Sequence, residues 1–498
     1  MRRLFGILGL MLLVASGVTW WIQPSRQSDV PILYWTTSPY GIREQQVEGF
    51  QEWLAANGYP PVDIRLDNSN NDISKKLIQG ISGVGGDVID TYADQLYMLQ
   101  ATGMIQDVTE PAEDYGFTPE ATFPELHSDL VIDGQQWGFP ANTGTNLYWV
   151  NLDTMAEAGL ETPPQKWDVE TFEEWGTRYV EARNPEGERQ LYYFANTVDL
   201  IELLQSTGLS QFNETLTACR LNDPRYVMVL NRIWKWIHEL HLIPTREEES
   251  TFAVEGAGGT KLGARMALFA RGNYAMLYLG RFAIIRLREY GDPEYSASFM
   301  PHFEYPNARM GGGAVAVYRN STKKEHAYRL LAYLASDAHN QLVVESGDGL
   351  PVNPEFLEKE AFLRPEGREN EWPAHRAFAD SALHYGIARV RSPFVESTVM
   401  GRLQQDFYQS FLAGLLTAEE AAARTEKRVN QEIQRKLEDQ PHLVSEYERR
   451  LDIQQQINQR KAQGKPIPEE WIFNPFYLKY YRDTQQLIPK TKKISHVP

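Results

Sequence analysis

Cysteine is almost missing: Cys219 is the only one in 498 residues. One thiol builds no disulfide framework, no Cys-based zinc site and no iron–sulfur cluster within a chain. No catalytic signature surrounds Cys219, so it reads as a small buried apolar residue. Positive charge is also short. Lys and Arg number 49 against 66 Asp and Glu, a net charge of −17. A chain this acidic is a poor general binder of nucleic acid, whose phosphates need cationic partners. GxSxG, GxxxxGK[ST] and HExxH are all absent, which removes the common signatures of serine hydrolases, P-loop enzymes and zinc proteases. His238 and His241 stand at ligand-compatible spacing, but no third ligand is adjacent. The glycine-rich GAGG of residues 256–259 follows no clear strand, so a phosphate cradle there has little support. There is no internal repeat and no low-complexity tract.

Long hydrophobic runs are equally scarce, with one exception. Residues 4–22 form an uncharged, mainly apolar run of 19 preceded by Arg2 and Arg3. That length spans a bilayer as a helix, and the two arginines hold the N-terminus on the cytoplasmic side. The remainder of the chain is therefore expected to be exported. Residues 1–29 read as a signal peptide cleaved after Ala15-Ser16-Gly17, or as an uncleaved anchor with Trp20-Trp21 at the interface and a short tether. Export with one cysteine points to a bacterial cell envelope, with residues 4–22 in the inner membrane.

What is present in quantity is aromatic: 12% of residues, including 12 Trp and 25 Tyr. From residue 31 the pattern alternates. PILYWTTSPY reads as a strand, and GIREQQVEGFQEWLAANGY as a helix with one apolar face, stopped by Asn57-Gly58. VDIRLDNSN is a second strand, ISKKLIQGI a short helix and DVIDTYADQ a third strand. This order implies mostly parallel sheet with helices on its faces. Residues 134–151 read as two strand pieces around a small polar linker, ANTGTN. Asp168 is placed to cap a helix. Residues 199–300 read as mainly helical, and Trp234 and Trp236 cannot both face a core. The tail from 441 differs from the body. It carries ten basic and six acidic residues, leaving −21 for the rest, and is rich in Trp, Phe and Tyr. It reads as a strap over the acidic body, or as a docking element for a partner or an anionic lipid surface.

Polar–aromatic loops end the predicted strands. Trp35, Ser38 and Tyr40 follow strand one, Asn70 strand two, and Tyr92 and Asp94 strand three. Open α/β sheets bind ligands outside the carboxyl ends of their strands. Hydroxyls, amides, carboxylates and flat rings together suit a sugar, which offers directional hydroxyls and stacking CH faces.

Five segments carry a family resemblance over residues 30–440: ILYWTTSPYGIREQQVEGFQEW, GGDVIDTYADQLYMLQATGMIQDVTE, DGQQWGFPANTGTNLYWVNLDTMAEAGLETPPQKWDVETFEEW, ARMALFARGNYAMLYLGRF and GGGAVAVYRNSTKKEHAYRLLAYLAS. Each is loose; their order and spacing are specific. The chain resembles the extracellular solute-binding protein family 1, the carbohydrate-binding components of ABC importers. The resemblance implies an α/β, two-lobed periplasmic binding protein fold (type II, Venus-flytrap), each lobe a mostly parallel sheet flanked by helices. Lobe 1 would comprise residues 30–140 and 311–350, lobe 2 residues 141–310 and 351–440, and 441–498 a basic, aromatic extension. The chain would cross between lobes near 140–145, 311–313 and 349–351. Carried over by position, Asp94 falls where the family places a sugar-binding acid. Tyr278, Arg281 and Phe282 fall on the segment that supplies a stacking aromatic, and Arg281 suggests a negatively charged ligand group or a bidentate hold on sugar hydroxyls. Asn142, Asn146 and Gly312 complete the candidates.

The resemblance implies a binding protein, not an enzyme, with a carbohydrate ligand, ABC permease subunits as partners, membrane contact through the N-terminal helix, and no metal or cofactor. The anchor and the tail depart from the family pattern and leave a tethered sugar sensor open. A second reading keeps the fold but takes ferric ion, polyamine or a phosphorylated solute. Ferric sites favour adjacent tyrosines such as Tyr192-Tyr193 and Tyr480-Tyr481, although these lie away from the predicted cleft loops. An envelope glycoside hydrolase is the remaining class.

Overall fold

The computed structural model describes residues 30–37, 42–68, 72–186, 190–255, 261–291 and 294–488. Outside them lie the apolar run 4–22, Ser38, Tyr40, Asn70, the GAGG segment and residues 489–498. No helix among the described residues is long and apolar enough to cross a membrane.

The chain opens with the expected alternation. Strand β1 (Ile32–Thr36) leads to helix α1 (Ile42–Ala56), which buries Ile42, Phe50 and Leu54. Asn57-Gly58 ends it, with Gly58 in the left-handed region at φ 71°, where a missing Cβ removes the steric penalty. Strand β2 (Asp63–Asp67), helix α2 (Ile73–Ile81) and strand β3 (Val88–Tyr92) follow. Asp72 caps α2 by accepting from the Ser74 and Lys75 amides. β1 lies between β2 and β3, parallel to both.

Strands β4 (Phe139–Asn151), β5 (Tyr193–Ala195), β6 (Tyr274–Gly280), β7 (Tyr295–Ser298), β8 (Ala308–Val317) and β9 (Gly386–Ile387) complete a nine-stranded sheet. Its order is β2-β1-β3-β8-β4-β6-β5, with β9 on β8 and β7 on β4. Two expectations are corrected here. The lobes are not separate, mostly parallel sheets: β8 runs antiparallel to β3 and β4, and β4 antiparallel to β6 and β7. ANTGTN is not a linker: β4 runs through it, pairing with β8 over Phe139–Thr145 and with β6 over Asn146–Val150. Asn, Gly and Thr–Asn pairs favour turns in isolation. Here Thr143 faces Gly312 on one edge and bonds Leu350 on the other, so pairing on both sides overrides the local preference.

Apolar cores cover both faces at both ends of the sheet, which makes the molecule two-lobed. On one face, Trp35, Phe50, Val88 and Val315 form the core of the first lobe, while Tyr148, Phe172, Trp236 and Tyr278 belong to that of the second. On the other face Ile89, Leu96 and Ala314 serve the first lobe, and Leu147, Trp149 and Leu277 the second. Helix α3 (Val169–Arg183) is capped by Asp168, which accepts from the Thr171 amide. Helix α4 (Pro224–His238) buries Trp236 and leaves Trp234 half-buried on His238, as the spacing requires. Cys219 is buried, and burial pushes its thiol up to about 12. Helix α5 (Asp337–Ser346) leads into the turn before Leu350, which bonds Thr143 of β4.

The tail is built into the second lobe. Ile457 of helix α6 (Val444–Ala462) and Phe476, Tyr477 and Tyr481 of helix α7 (Pro475–Asp483) share a core with Tyr148 and Phe172. Asn474 is fully buried. It caps α7 at the Phe476 amide and donates to Ser210 Oγ and the Phe212 carbonyl. Glu214 accepts from Lys461 Nζ, Tyr481 Oη and Gln454 Nε2, each at 2.7 Å. This is the strap reading, carried into the core itself.

Candidate functional site

The sheet face between the Trp35 core and the Tyr148 core is the natural place for a ligand. Register partners project to the same side of an antiparallel pair. Gly313 opposes Tyr92 on β3 and Asn142 on β4; Gly311 opposes Gly144; Asn146 opposes Gly280. A register shift at Gly313/Ala314 keeps one side of β4 continuous, from Phe139 of the first core through Asn142, Gly144 and Asn146 to Tyr148 of the second. The floor between the lobes is thus mostly glycine, edged by amides. A Cβ on Gly144 or Gly311 would meet nothing within 4 Å, so the floor is open and approachable. Gly312 points the other way: a Cβ there would stand 2.3 Å from the Asn142 carbonyl oxygen. Its role is close strand approach.

Asn142 is held rigidly. Its Oδ1 accepts from the Gly313 amide at 3.1 Å and its Nδ2 donates to the Asp348 carbonyl at 3.2 Å. A Cβ on Gly280 would meet the Phe282 ring at 3.0 Å and Asn146 Oδ1 at 3.3 Å, so glycine, ring and amide share one surface. Tyr92 is 66% and Phe282 37% exposed. These two present aromatic area beside the floor, one from each lobe.

The wall of the first lobe is a buried polar cluster. Arg43 donates to Asp90 Oδ2 at 2.7 Å and to Thr37 Oγ1 at 2.8 Å, and Thr37 donates to the same carboxylate at 2.7 Å. Lys76 Nζ reaches the Asp90 carbonyl. Trp35 lies beneath the Arg43 guanidinium, 5.4 Å from centroid to Cζ, and is fully buried. The expectation that Trp35 offers a ring to ligand is corrected: it packs as core and carries Arg43.

The wall of the second lobe centres on Glu202. Its Oε2 accepts from Tyr278 Oη at 2.5 Å and from the Arg309 amide at 3.1 Å; Oε1 is buried with no protein partner. Burial, then the Asp199 charge, raise this carboxyl to about 8, so it is protonated at neutral pH. Arg309 pairs with Asp199 at 3.1 Å. A cavity of about 90 Å³ lies here, lined by Glu202, Gln205, Gln211, Arg309, Arg389 and Gln404 among others. Tyr278 is spent on Glu202 and is 8% exposed, so it shapes the wall from behind and offers a ligand no face.

Arg281 requires the largest correction. It is 1% exposed. Its guanidinium donates to the carbonyls of Val344 at 3.2 Å and Gly349 at 2.9 Å, and Nε donates to His375 Nδ1 at 3.2 Å. His375 therefore carries its proton on Nε2 and gives it to Glu371, 3.3 Å away. Burial lowers Arg281 to about 9 and His375 to about 4. The arginine caps the C-terminal end of α5, where a cation meets unpaired carbonyls, and ties down the Gly349 turn that follows it. It is not an acceptor site for an acidic ligand.

Asp94 follows β3, and its carboxylate is paired with Arg389. Its carbonyl accepts from Arg391, whose guanidinium also pairs with Asp129. Sequence reasoning missed Arg389 and Arg391, Glu202, and the Arg43–Asp90 pair. The alternation ARVRS was the one visible signal for the first two. The adjacent tyrosines do not meet the cleft: Tyr193 and Tyr481 are buried. Among the described residues no three His, Cys, Asp or Glu side chains are grouped to hold a metal ion.

Solved structures share this fold. An ABC substrate-binding protein from Listeria monocytogenes, in complex with cycloalternan, is similar at 18% identity and a TM-score of 0.67, covering 81% of this chain and 98% of its own. The maltose/maltodextrin-binding domain MalE from Bdellovibrio bacteriovorus, bound to maltotriose, gives 17% and 0.62, over 81% and 100%. UgpB from Mycobacterium tuberculosis, in complex with glycerophosphocholine, gives 15% and 0.64, over 82% and 99%. No curated protein sequence matches. The family model for the bacterial extracellular solute-binding protein matches residues 46–370, well over half of the chain, and the chain belongs to that family.

Proposed function

We propose that the chain is the solute-binding subunit of an ABC importer and binds a carbohydrate between its lobes. One observation carries the reading: an open glycine floor at Gly144 and Gly311, edged by Asn142 and Asn146 with aromatic area from Tyr92 and Phe282. A sugar ring needs close approach to a flat surface, fixed amides for its hydroxyls and an aromatic face for its CH groups. Nothing on that floor is a nucleophile, and family members bind solute without turning it over. The lobe division at 140, 311 and 351, the anchor at residues 4–22, delivery to permease subunits and an extracytoplasmic location belong to the same proposal. Residues 441–488 go with the second lobe. Asp94, Asn142, Asn146, Tyr92 and Phe282 are the side chains expected to touch ligand; Gly312 supports the floor.

The fold alone does not choose the ligand, because its similar structures hold cycloalternan, maltotriose and glycerophosphocholine. The glycerophosphocholine complex favours one second reading, a polyol bearing a phosphodiester, which would have to draw Arg309, Arg389 or Arg391 from its carboxylate partner. A thermal-shift and tryptophan-fluorescence screen of residues 25–498 separates the two. The panel holds neutral and acidic mono- and oligosaccharides and glycerophosphocholine. A ligand at 100 times its Kd raises stability by about 2.7 kcal/mol. A saccharide hit with no product formed supports the carbohydrate reading. A response to glycerophosphocholine alone supports the second, and silence across the panel in folded protein rejects both.

A further inference from the structure

Two arginines from one lobe reach two carboxylates of the other. Arg389 and Arg391 follow β9, which pairs with the Ala308–Arg309 end of β8 in the second lobe. Asp94 follows β3, which pairs with the Gly313–Val317 end of β8, and Asp129 lies beside Leu130 of the first lobe's core. Arg389 pairs with the Asp94 carboxylate; Arg391 pairs with Asp129 and donates to the Asp94 carbonyl. Asp129 is 2% exposed, so this pair is shielded from solvent while the lobes are in contact.

We propose that Arg389 and Arg391 form a latch that holds the lobes together without ligand. Opening requires both ion pairs to break, and a ligand reaches Asp94 only after Arg389 has left it. The contact is intramolecular, so each half meets the other at high effective concentration. The Asp94–Arg389 pair is half-exposed and screened by salt, whereas the Asp129 pair is sheltered.

The test is an interlobe distance measured in ligand-free protein. Ile78 and Leu415 are exposed, one in each lobe. Ile78→Cys and Leu415→Cys accept spin labels, while buried Cys219 stays unlabelled. The expected result is one short distance in the parent and a longer, broader distribution in Arg389→Ala/Arg391→Ala. If that double variant does not fold, Arg391→Gln in 1 M NaCl carries the test: the substitution removes the sheltered pair, salt screens the exposed one, and a lengthened distance is expected. The reciprocal swap Asp94→Arg/Arg389→Asp should return the parent's distance. An unchanged distribution in the folded variants and in salt overturns the latch. No ligand takes part, so that failure leaves the carbohydrate reading where it stood.

Discussion

Gly311 and Gly312 are neighbours with opposite prospects. Gly311→Val adds a side chain over an open floor at an ordinary strand conformation. The fold should keep its melting temperature while the saccharide response disappears from the fluorescence titration. Gly312→Val drives a Cβ against the Asn142 carbonyl and should destabilise by about 1–3 kcal/mol, read in calorimetry. Arg281→Ala removes the donors that the Val344 and Gly349 carbonyls use, inside the protein. A loss on the order of 3 kcal/mol in urea unfolding is expected, and Arg281→Lys should recover only part of it, since an ammonium lacks the planar fork. Glu202 supplies a pH signature. Its carboxyl rises from 4.5 in the unfolded chain to about 8 in the fold, so the native state holds a proton that the unfolded state has released. Stability contributed this way is complete below pH 4.5 and drains as pH climbs to 8. Urea midpoints at pH 5, 7 and 9 should fall in the parent and fall less in Glu202→Gln. Sequence showed the charge of Arg281 but not its depth. An arginine beside a predicted stacking ring looks the same whether it faces ligand or helix carbonyls.

Elements with local signals were legible. Helix α1 ends at its Asn-Gly and α3 begins at Asp168, each because a backbone group is satisfied by a residue close by in sequence. β4 was not legible, because what makes it a strand is Gly312 on one edge and Leu350 on the other, both far along the chain. The tail was half legible. Its aromatics announced contact with something, and the structure supplies the partner in Ser210, Phe212 and Glu214. Truncation after residue 440 should therefore expose the underside of the second lobe. We expect loss of soluble protein or of the cooperative thermal transition, checked by expression and calorimetry. Asn474→Ala is the gentler version and should cost about 1–3 kcal/mol, because it leaves the Phe212 carbonyl and an α7 amide unpaired.

At the scale of the molecule, ordered motifs carried the two-lobed architecture into view, and the continuity of its sheet stayed hidden. The glycines at 311–313 were readable as a place where strands approach closely, because a missing Cβ leaves that trace. The ion pairs between the lobes leave none: Asp94 and Arg389 are 295 positions apart, and any acidic, arginine-bearing chain offers hundreds of such combinations. The buried tail also has a consequence in time. Glu214 meets Tyr481 only after 267 further residues exist, and the core they share stays unfinished until then. In a chain emerging from the ribosome N-terminus first, the second lobe thus stays open for nearly the whole of synthesis. That part of the polypeptide can thread a narrow translocation channel before the second lobe locks.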